Sequence, residues 1–207
     1  MPQSLGYLKE TASQTAGPYV HIGCTPNFVG INGIFETDLG SGPLVNDQTR
    51  GERITVRGFV YDGTGTPLRD ALVEIWQADS DGYYNSPSET RGKADPNFLG
   101  WGRQPGDMQT GEFVFETIKP GRVPFRENDP RLMAPHILFW IVARGINIGL
   151  QTRMYFSDEE QANAEDPILS RIEHRVRVPT LIGRREGNTV TFDIHLQGEN
   201  ETIFFDM

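Results

Sequence analysis

Short segments in which apolar and polar residues alternate recur along most of this 207-residue chain, separated by clusters of turn-forming residues. In the segment 54–61, for example, Ile54, Val56 and Val60 share one face. Successive side chains of a strand point to opposite faces, and frequent Gly, Pro and Asp residues keep the strands short. The pattern predicts an all-β fold with a β-sandwich or barrel-like core of mixed strands, and it disfavours a βαβ fold. Further strands are predicted at 71–76, 113–117, 137–143, 151–156, 189–195 and 202–205.

The N-terminal part of the chain lacks this alternation and is rich in Gly, Pro, Asn and Thr. Such a composition is typical of an extended arm with turns, and not of an independent domain. All-β folds of this length often form one undivided domain. We therefore predict a single domain over 1–207, with an N-terminal arm and loops at 1–50 and a β-sandwich core at 51–207.

Two long stretches between the predicted strands, 79–112 and 119–135, show no regular pattern. Loops of this length inside a compact domain usually carry function or are covered by a partner. One short helix is predicted at 158–164, because Ser157 and Glu160 have the spacing of a capping box and acidic residues occupy the first turn.

The charge and the cysteine content exclude several classes of function. The formal net charge is −9 and the pI is about 4.9, which argues against nucleic acid or an anionic membrane as the main partner. A single cysteine, Cys24, cannot form an internal disulfide and fits a reducing compartment. No apolar run approaches the roughly 18 residues that a membrane span needs. We therefore predict a soluble, cytoplasmic protein without a membrane partner.

Four segments carry the strongest functional signal. They are Trp76-Gln-Ala-Asp-Ser-Asp-Gly-Tyr-Tyr84, Thr117-Ile-Lys-Pro-Gly-Arg-Val-Pro-Phe125, Ala134-Pro-His-Ile-Leu-Phe139 and Thr152-Arg-Met-Tyr-Phe156. Together they resemble the core of the intradiol ring-cleaving dioxygenases, a family that holds a ferric ion with two tyrosinates and two imidazoles. In the active chains of that family the pattern reads W-x-A-x-x-x-G-x-Y, then P-G-P-Y-P-W, then H-x-H.

Only half of that ligand set is present in this chain. The resemblance matches Tyr84 and His136 to ligands, but Val123 stands in place of the second Tyr and Leu138 in place of the second His. Val and Leu offer no lone pair, whereas Fe(III) requires anionic oxygen and imidazole donors. We therefore predict that this chain holds no metal, and that Tyr84 and His136 are structural residues with hydrogen-bond partners. Arg153, where the active chains carry a Gln near the metal, is a further departure.

A closer resemblance is to the α chain of the two-chain members of this family. It is carried by the segments 10–23, 139–148, 156–164 and 197–206, and it extends from residue 10 to the end except for roughly 24–50 and parts of 85–110. The resemblance implies an α–β hetero-oligomer in which a homologous β chain carries the complete Fe(III) site. The α chain then walls off part of the pocket of the β chain and is inactive alone.

The resemblance also implies the reaction. The substrate is a catechol that bears a ring carboxylate, 3,4-dihydroxybenzoate, which is cleaved with O₂ to 3-carboxy-cis,cis-muconate in the β-ketoadipate pathway of aromatic catabolism. Two other functions stay open. The chain could be a self-sufficient homo-oligomeric catechol dioxygenase whose missing ligands come from Tyr83 or a neighbouring chain. It could also be a scaffolding β-sandwich without a part in catalysis.

Four residues are candidates for the edge of the substrate pocket by the same resemblance: Thr15, Pro18 and Tyr19 on the arm, and Arg144 on a strand. Arg144 is the only charge in the apolar stretch 137–146, and a charge there needs a partner. A guanidinium suits a planar carboxylate, so the partner could be the substrate or an acidic residue of the β chain. The alternative is a purely structural ion pair between the subunits. Thr15 offers one hydrogen bond, Pro18 makes the arm rigid, and Tyr19 could serve as an interface anchor.

Overall fold

The computed structural model describes residues 15–147 and 149–206, and nine strands make up its main element. Two short α-helices and two 3₁₀ segments, Leu169–Arg171 and Arg175–Leu181, complete the regular structure of this part of the chain. The helices are α1 (Pro18–Cys24) and α2 (Glu160–Glu165). The strands are β1 (Arg53–Tyr61), β2 (Leu72–Trp76), β3 (Trp101–Pro105), β4 (Glu112–Ile118), β5 (His136–Val142), β6 (Leu150–Phe156), β7 (Ile182–Glu186), β8 (Thr189–Thr191) and β9 (Ile194–His195).

The strands form one sheet in the order β3-β2-β5-β6-β7-β8-β1-β4, with β9 paired to β1. The pairs from β3 to β6 are antiparallel, whereas β6 pairs with β7 in parallel, as β1 does with β8 and β9. The two ends of this order, β3 and β4, also lie beside each other, so that the sheet curls into a nearly closed barrel. The all-β, barrel-like fold with mixed strands is therefore confirmed.

The interior of the barrel is filled by the buried side of each strand. Alternate residues of β1 are buried, as the sequence pattern predicts for Ile54, Val56 and Val60. Phe139 of β5 packs against Phe192 with ring centroids 5.1 Å apart and thus joins opposite walls of the barrel. Gly58 allows β1 to lie close to the backbone at Phe192, because a Cβ at position 58 would lie 1.9 Å from the carbonyl oxygen of Phe192.

Most predicted strands are confirmed, but β3 and β7 were not predicted and the strand expected at 202–205 is absent. The segment predicted at 189–195 is split into β8 and β9, because the Asp193 carboxylate accepts the Phe59 N–H and interrupts the ladder. At 202–205 the tail is held by separate hydrogen bonds, from Thr202 N–H to the His195 carbonyl and from Phe205 N–H to the Gln151 carbonyl.

The prediction of an extended arm is wrong for 18–24, which form α1. Proline at the first helical position favours this start, since its missing N–H is not needed there. The predicted capping box of α2 is also wrong: the helix begins at Glu160 without a side-chain cap, and the Ser157 hydroxyl instead accepts the Arg185 N–H at 3.0 Å. Within 15–147 and 149–206, no helix is long and apolar enough to cross a membrane.

Candidate functional site

The outer face of the antiparallel strands β3, β2, β5 and β6 carries all three tryptophans of the chain. Cross-strand pairing arranges its side chains in two rows. The first row is Trp101, Trp76, Leu138 and Arg153, and the second is Arg103, Glu74, Trp140 and Gln151. An ion pair of 2.7 Å between Arg103 and Glu74 neutralises the charges of the second row. The first row leads into the positions that the family resemblance matches to metal ligands.

We call Tyr84, Val123, His136, Leu138 and Arg153 the vestigial centre. Four of these are the positions matched to ligands, and Arg153 is the direct cross-strand neighbour of Leu138. The structure brings them together at one end of the antiparallel strands, beside a cleft of about 590 Å³ that is lined in part by Trp76, Tyr84, Val123 and Met133.

Tyr84 is placed by a tight turn that begins at the buried Asp79. The Asp79 carboxylate accepts the N–H groups of Asp81 and Tyr83, each at 2.9 Å. The Tyr84 ring then stacks on Trp76, with centroids 5.8 Å apart and planes only 3° from parallel. Burial raises the pKa of the Tyr84 phenol, so the neutral form is favoured.

Val123 closes the neighbouring side of the centre with apolar surface. It is 2% exposed and belongs to a small cluster with Met133 and Tyr84. Its carbonyl accepts the Met133 N–H at 2.8 Å, which fixes the two loops against each other. At the position that the resemblance matches to a tyrosinate ligand, the packed side chain of Val123 therefore offers no donor atom.

His136, at the start of β5, is 4% exposed, and its ring Nδ1–H donates to the Ala134 carbonyl at 2.8 Å. Burial, with the nearby Arg153 charge, lowers the pKa of His136 to about 4. The ring lies 5.6 Å from that of Tyr155, whose hydroxyl faces the buried Asp166 carboxylate at 3.4 Å. Burial raises the pKa of the Tyr155 phenol as well.

Asp166 joins the centre to the segment that follows α2. Its carboxylate accepts the N–H groups of Ala134, Ile168 and Leu169, each at 2.8 Å. Charge-assisted bonds of this kind are strong, and they hold the start of β5 in place. His136 is held by its bond to Ala134 and Tyr84 by its stacking on Trp76. These contacts fit a structural role for both residues, and that role stays a prediction.

Arg153 is the only formal cation of the vestigial centre. Its Nη1 contacts the Met133 sulfur at 3.4 Å, and its guanidinium lies over the Phe205 ring, 5.6 Å from the centroid. Its positive charge acts against burial at Tyr84, where it lowers a pKa that burial raises. At His136 the charge and burial act together, and both lower the pKa. The side chain therefore lies close to both positions that the resemblance matches to ligands.

These residues do not fit an Fe(III) ion. One phenol and one imidazole are the only donors among the four matched positions, and a cation lies beside them. Tyr83 does not complete the set, because its ring packs against the guanidinium of Arg91, 5.5 Å away, and against Gly92. No group of three His, Cys, Asp or Glu that could hold a metal occurs among the residues that the structure describes.

A second group, which we call the arm edge, consists of Thr15, Tyr19 and Arg144. The Thr15 hydroxyl accepts the Gly145 N–H at 2.8 Å, so the structure brings the arm to the turn after β5. Tyr19 on α1 is 84% exposed. Pro18 begins α1, but its side chain lies outside the described residues. The arm is further fixed where the His21 Nε2 meets the Asp70 carbonyl at 3.0 Å.

Arg144 has an internal partner that we did not predict. Its Nε lies 2.5 Å from a carboxylate oxygen of Asp70, and its side chain is 68% exposed. The pairing register contains the signal for this contact: Leu72 lies opposite Val142, so the residues two positions beyond them, Asp70 and Arg144, face each other. The charge of Arg144 therefore does not require a partner from outside the chain, although its exposed side chain can still reach one.

Comparisons with known proteins place this chain in a family of dioxygenases. The Dioxygenase family model matches residues 25–198. The chain is 44% identical over 203 residues to the protocatechuate 3,4-dioxygenase alpha chain of Pseudomonas putida, covering 96% of this chain and 97% of that one. It is 37% identical over 180 residues to the beta chain of the Burkholderia cepacia enzyme, covering 82% and 75%. The structure of 3-chlorocatechol 1,2-dioxygenase from Rhodococcus opacus 1CP has the same fold, with a TM-score of 0.56, 24% identity, and coverage of 74% of this chain and 62% of that one.

Proposed function

Since the chain belongs to the intradiol dioxygenase family, we propose that it is the α subunit of a protocatechuate 3,4-dioxygenase and binds no iron itself. One observation carries the proposal. The chain is similar to an α chain over nearly its whole length, and Val123 and Leu138 occupy two of its four matched ligand positions. Neither side chain can coordinate a metal ion.

The partner that this function requires is a homologous β chain in an α–β hetero-oligomer. The similarity of this chain to a β chain as well as to α chains supports such a pair. The β chain would hold the Fe(III), which would supply Lewis-acid chemistry for the bound catechol. The overall reaction is cleavage of 3,4-dihydroxybenzoate with O₂ to 3-carboxy-cis,cis-muconate, in the cytoplasm.

The part of this chain in that reaction is to shape and orient. Arg144 keeps several guanidinium donors available beside its single ion pair with Asp70, and a planar carboxylate is the group that such donors bind best. Thr15 lies next to it through its bond to Gly145. We assign to Arg144, Thr15, Pro18 and Tyr19 the edge of the pocket in the β chain, where they would orient the ring carboxylate and exclude water.

Exposed apolar side chains support a large protein partner. Beyond Tyr19, large hydrophobic residues that are more than half exposed include Ile34, Leu39 and Leu99. The outer sheet face adds Trp140, which is 36% exposed. Apolar patches of this kind are typical of surfaces that a subunit covers.

The experiment that tests the proposal is to measure iron content and visible absorption of this chain, purified alone and then with a homologous β chain. We expect a colourless, iron-free chain that joins a coloured, active complex. A tyrosinate-to-iron absorption band in the chain alone would overturn the proposal and would support the self-sufficient dioxygenase. A β chain that is equally active without this chain would support the scaffolding function.

A further inference from the structure

We propose that the guanidinium of Arg153 is the fixed cation of the vestigial centre, and that it excludes a metal ion even when the missing ligands are restored. Loss of the two donors alone would leave a cavity that two substitutions could convert back into a metal site. A permanent positive charge at that place makes the loss harder to reverse. The inference rests on the proposed function only in taking the wild-type chain to be free of iron.

The position of Arg153 is fixed by the sheet itself. It pairs directly with Leu138, so any side chain at 138 projects from the neighbouring strand beside it, on the same face. Leu138 is in turn paired with Trp76, whose ring stacks on Tyr84. A donor restored at 138 would therefore stand between the Trp76–Tyr84 stack on one side and a guanidinium on the other.

Contacts outside the sheet hold the guanidinium in the centre. The Met133 sulfur lies 3.4 Å from Nη1, and Met133 is itself tied to Val123 by a backbone hydrogen bond. The ring of Phe205, from the C-terminal tail, covers the guanidinium. That tail is anchored by the bond from Phe205 N–H to the Gln151 carbonyl and by the Thr152 hydroxyl, which donates to the Ile203 carbonyl at 2.7 Å. Contacts on two sides, with Met133 and with Phe205, therefore hold the Arg153 guanidinium in the vestigial centre.

A cation in this position opposes metal binding for two reasons. Arginine cannot lose its proton in a protein, so its charge remains at every working pH. Repulsion between this charge and a trivalent ion a few ångströms away is strong wherever water is excluded.

The test compares iron loading of variants of the full chain. One variant carries Val123→Tyr and Leu138→His, a second adds Arg153→Gln, and a third adds Arg153→Lys to the same pair. Each is loaded with Fe(III), and bound iron per chain is measured together with the tyrosinate-to-iron absorption band. The wild-type chain is the control, because iron in it would refute the proposed function and leave the comparison between variants unaffected.

We expect the Arg153→Gln variant to bind iron at least about tenfold more tightly than the variant with the two restored ligands alone. The Lys variant keeps the charge and should load as poorly as the variant that retains Arg153. Equal loading with Arg153 and with Gln would overturn the proposal. A folded Gln variant that still takes up no iron would overturn it as well, because the cation would then not be what excludes the metal.

A smaller change covers the case in which Val123→Tyr prevents folding, as judged by near-ultraviolet circular dichroism. Leu138→His alone and Leu138→His with Arg153→Gln each offer three donors and disturb only the outer sheet face. Co(II) titration, followed by its visible absorption, then makes the same comparison. Tighter binding in the variant without Arg153 is expected, and equal affinities would contradict the proposal.

Discussion

The vestigial centre and the arm edge contain the residues that the family resemblance singles out, but the chain holds them in opposite ways. At the centre, His136 is buried and bonded to Ala134, and Tyr84 is stacked on Trp76. At the arm edge, Tyr19 projects into solvent, and Arg144 is mostly exposed and is held by one ion pair with Asp70. Residues of the first kind are explained by the stability of this subunit. Residues of the second kind stabilise it little, so their role points to a partner.

A substitution of Asp166 should have the largest effect on stability, and it tests whether the surroundings of the vestigial centre are the rigid part of the molecule. Asp166→Ala removes an acceptor of three N–H groups, two of them buried, and the cost of leaving such groups unpaired is about 3 kcal/mol. We expect the free energy of unfolding in urea to fall by that amount. Glu165→Ala is the matched control, since its exposed pair with Arg122 contributes less than about 1 kcal/mol. Similar losses in both variants would show that the centre is not the rigid part of the molecule.

The pH dependence of stability gives the next largest effect. The pKa of His136 is about 4 in the folded chain, well below the ordinary histidine value of 6.5, so the folded state disfavours the proton. This stabilisation is complete above about pH 6.5 and is lost as the pH falls through about 4. Between pH 7 and pH 4.5 the wild-type chain should lose about 2 kcal/mol through this group.

Urea unfolding at the two pH values, for the wild type and for His136→Leu, measures the contribution of His136. The variant should be less stable at pH 7 and should lose less on acidification. His174→Leu, which alters an exposed imidazole, should keep the wild-type pH dependence. If His136→Leu also keeps it, His136 is not the group that links stability to pH.

Much of the fold could be predicted from the sequence, because the periodicity of β1, β2, β5 and β6 reports directly which face is buried. The exceptions have local causes. The alternation in β3 is hidden by Gly102, which is small because a Cβ there would lie 2.8 Å from Leu44. The capping box failed because the Ser157 hydroxyl bonds to Arg185, a residue 28 positions away.

The sequence supplies candidates for the site, which stay predictions, but it does not supply the contacts that these residues make. Motif matching selects Tyr84, His136 and Arg144 without any knowledge of what they touch. The contact of Arg153 with Phe205 depends on a tail that is held by separate hydrogen bonds, and such bonds leave no periodic signal. The pair of Arg144 with Asp70 is different, because the register of β2 against β5 implies it.

A substitution of Arg144 tests whether the arm edge contributes to substrate binding and not to the stability of this subunit. Arg144→Ala should cost the isolated chain less than about 1 kcal/mol, because its pair with Asp70 is exposed. In the assembly with an iron-bearing β chain we expect the KM for protocatechuate to rise about tenfold, the value of one charge-assisted hydrogen bond, with iron content unchanged.

The control for Arg144 is Asp70→Asn, which removes the internal ion pair and keeps the guanidinium. If Arg144 serves the substrate, the Asp70 variant should leave KM nearly unchanged or lower it. Equal effects of the two variants on KM would show that only the internal pair matters. An unchanged KM in Arg144→Ala would remove Arg144 from the pocket.

A substitution of Thr15 should have the smallest effect on stability and on KM. Which of the two quantities changes distinguishes the arm edge from the vestigial centre. Thr15→Val keeps the shape of the side chain and removes the hydroxyl that accepts the Gly145 N–H at 2.8 Å. Because this bond is exposed and water can replace it, the free energy of unfolding should change by about 0.5 kcal/mol or less. In the assembly the same loss loosens the turn that carries Arg144, so the KM should rise by about twofold to threefold, and Thr15→Ser should restore it. A stability loss as large as that of a residue in the vestigial centre, with no change in KM, would mean that the arm serves this subunit and not its partner.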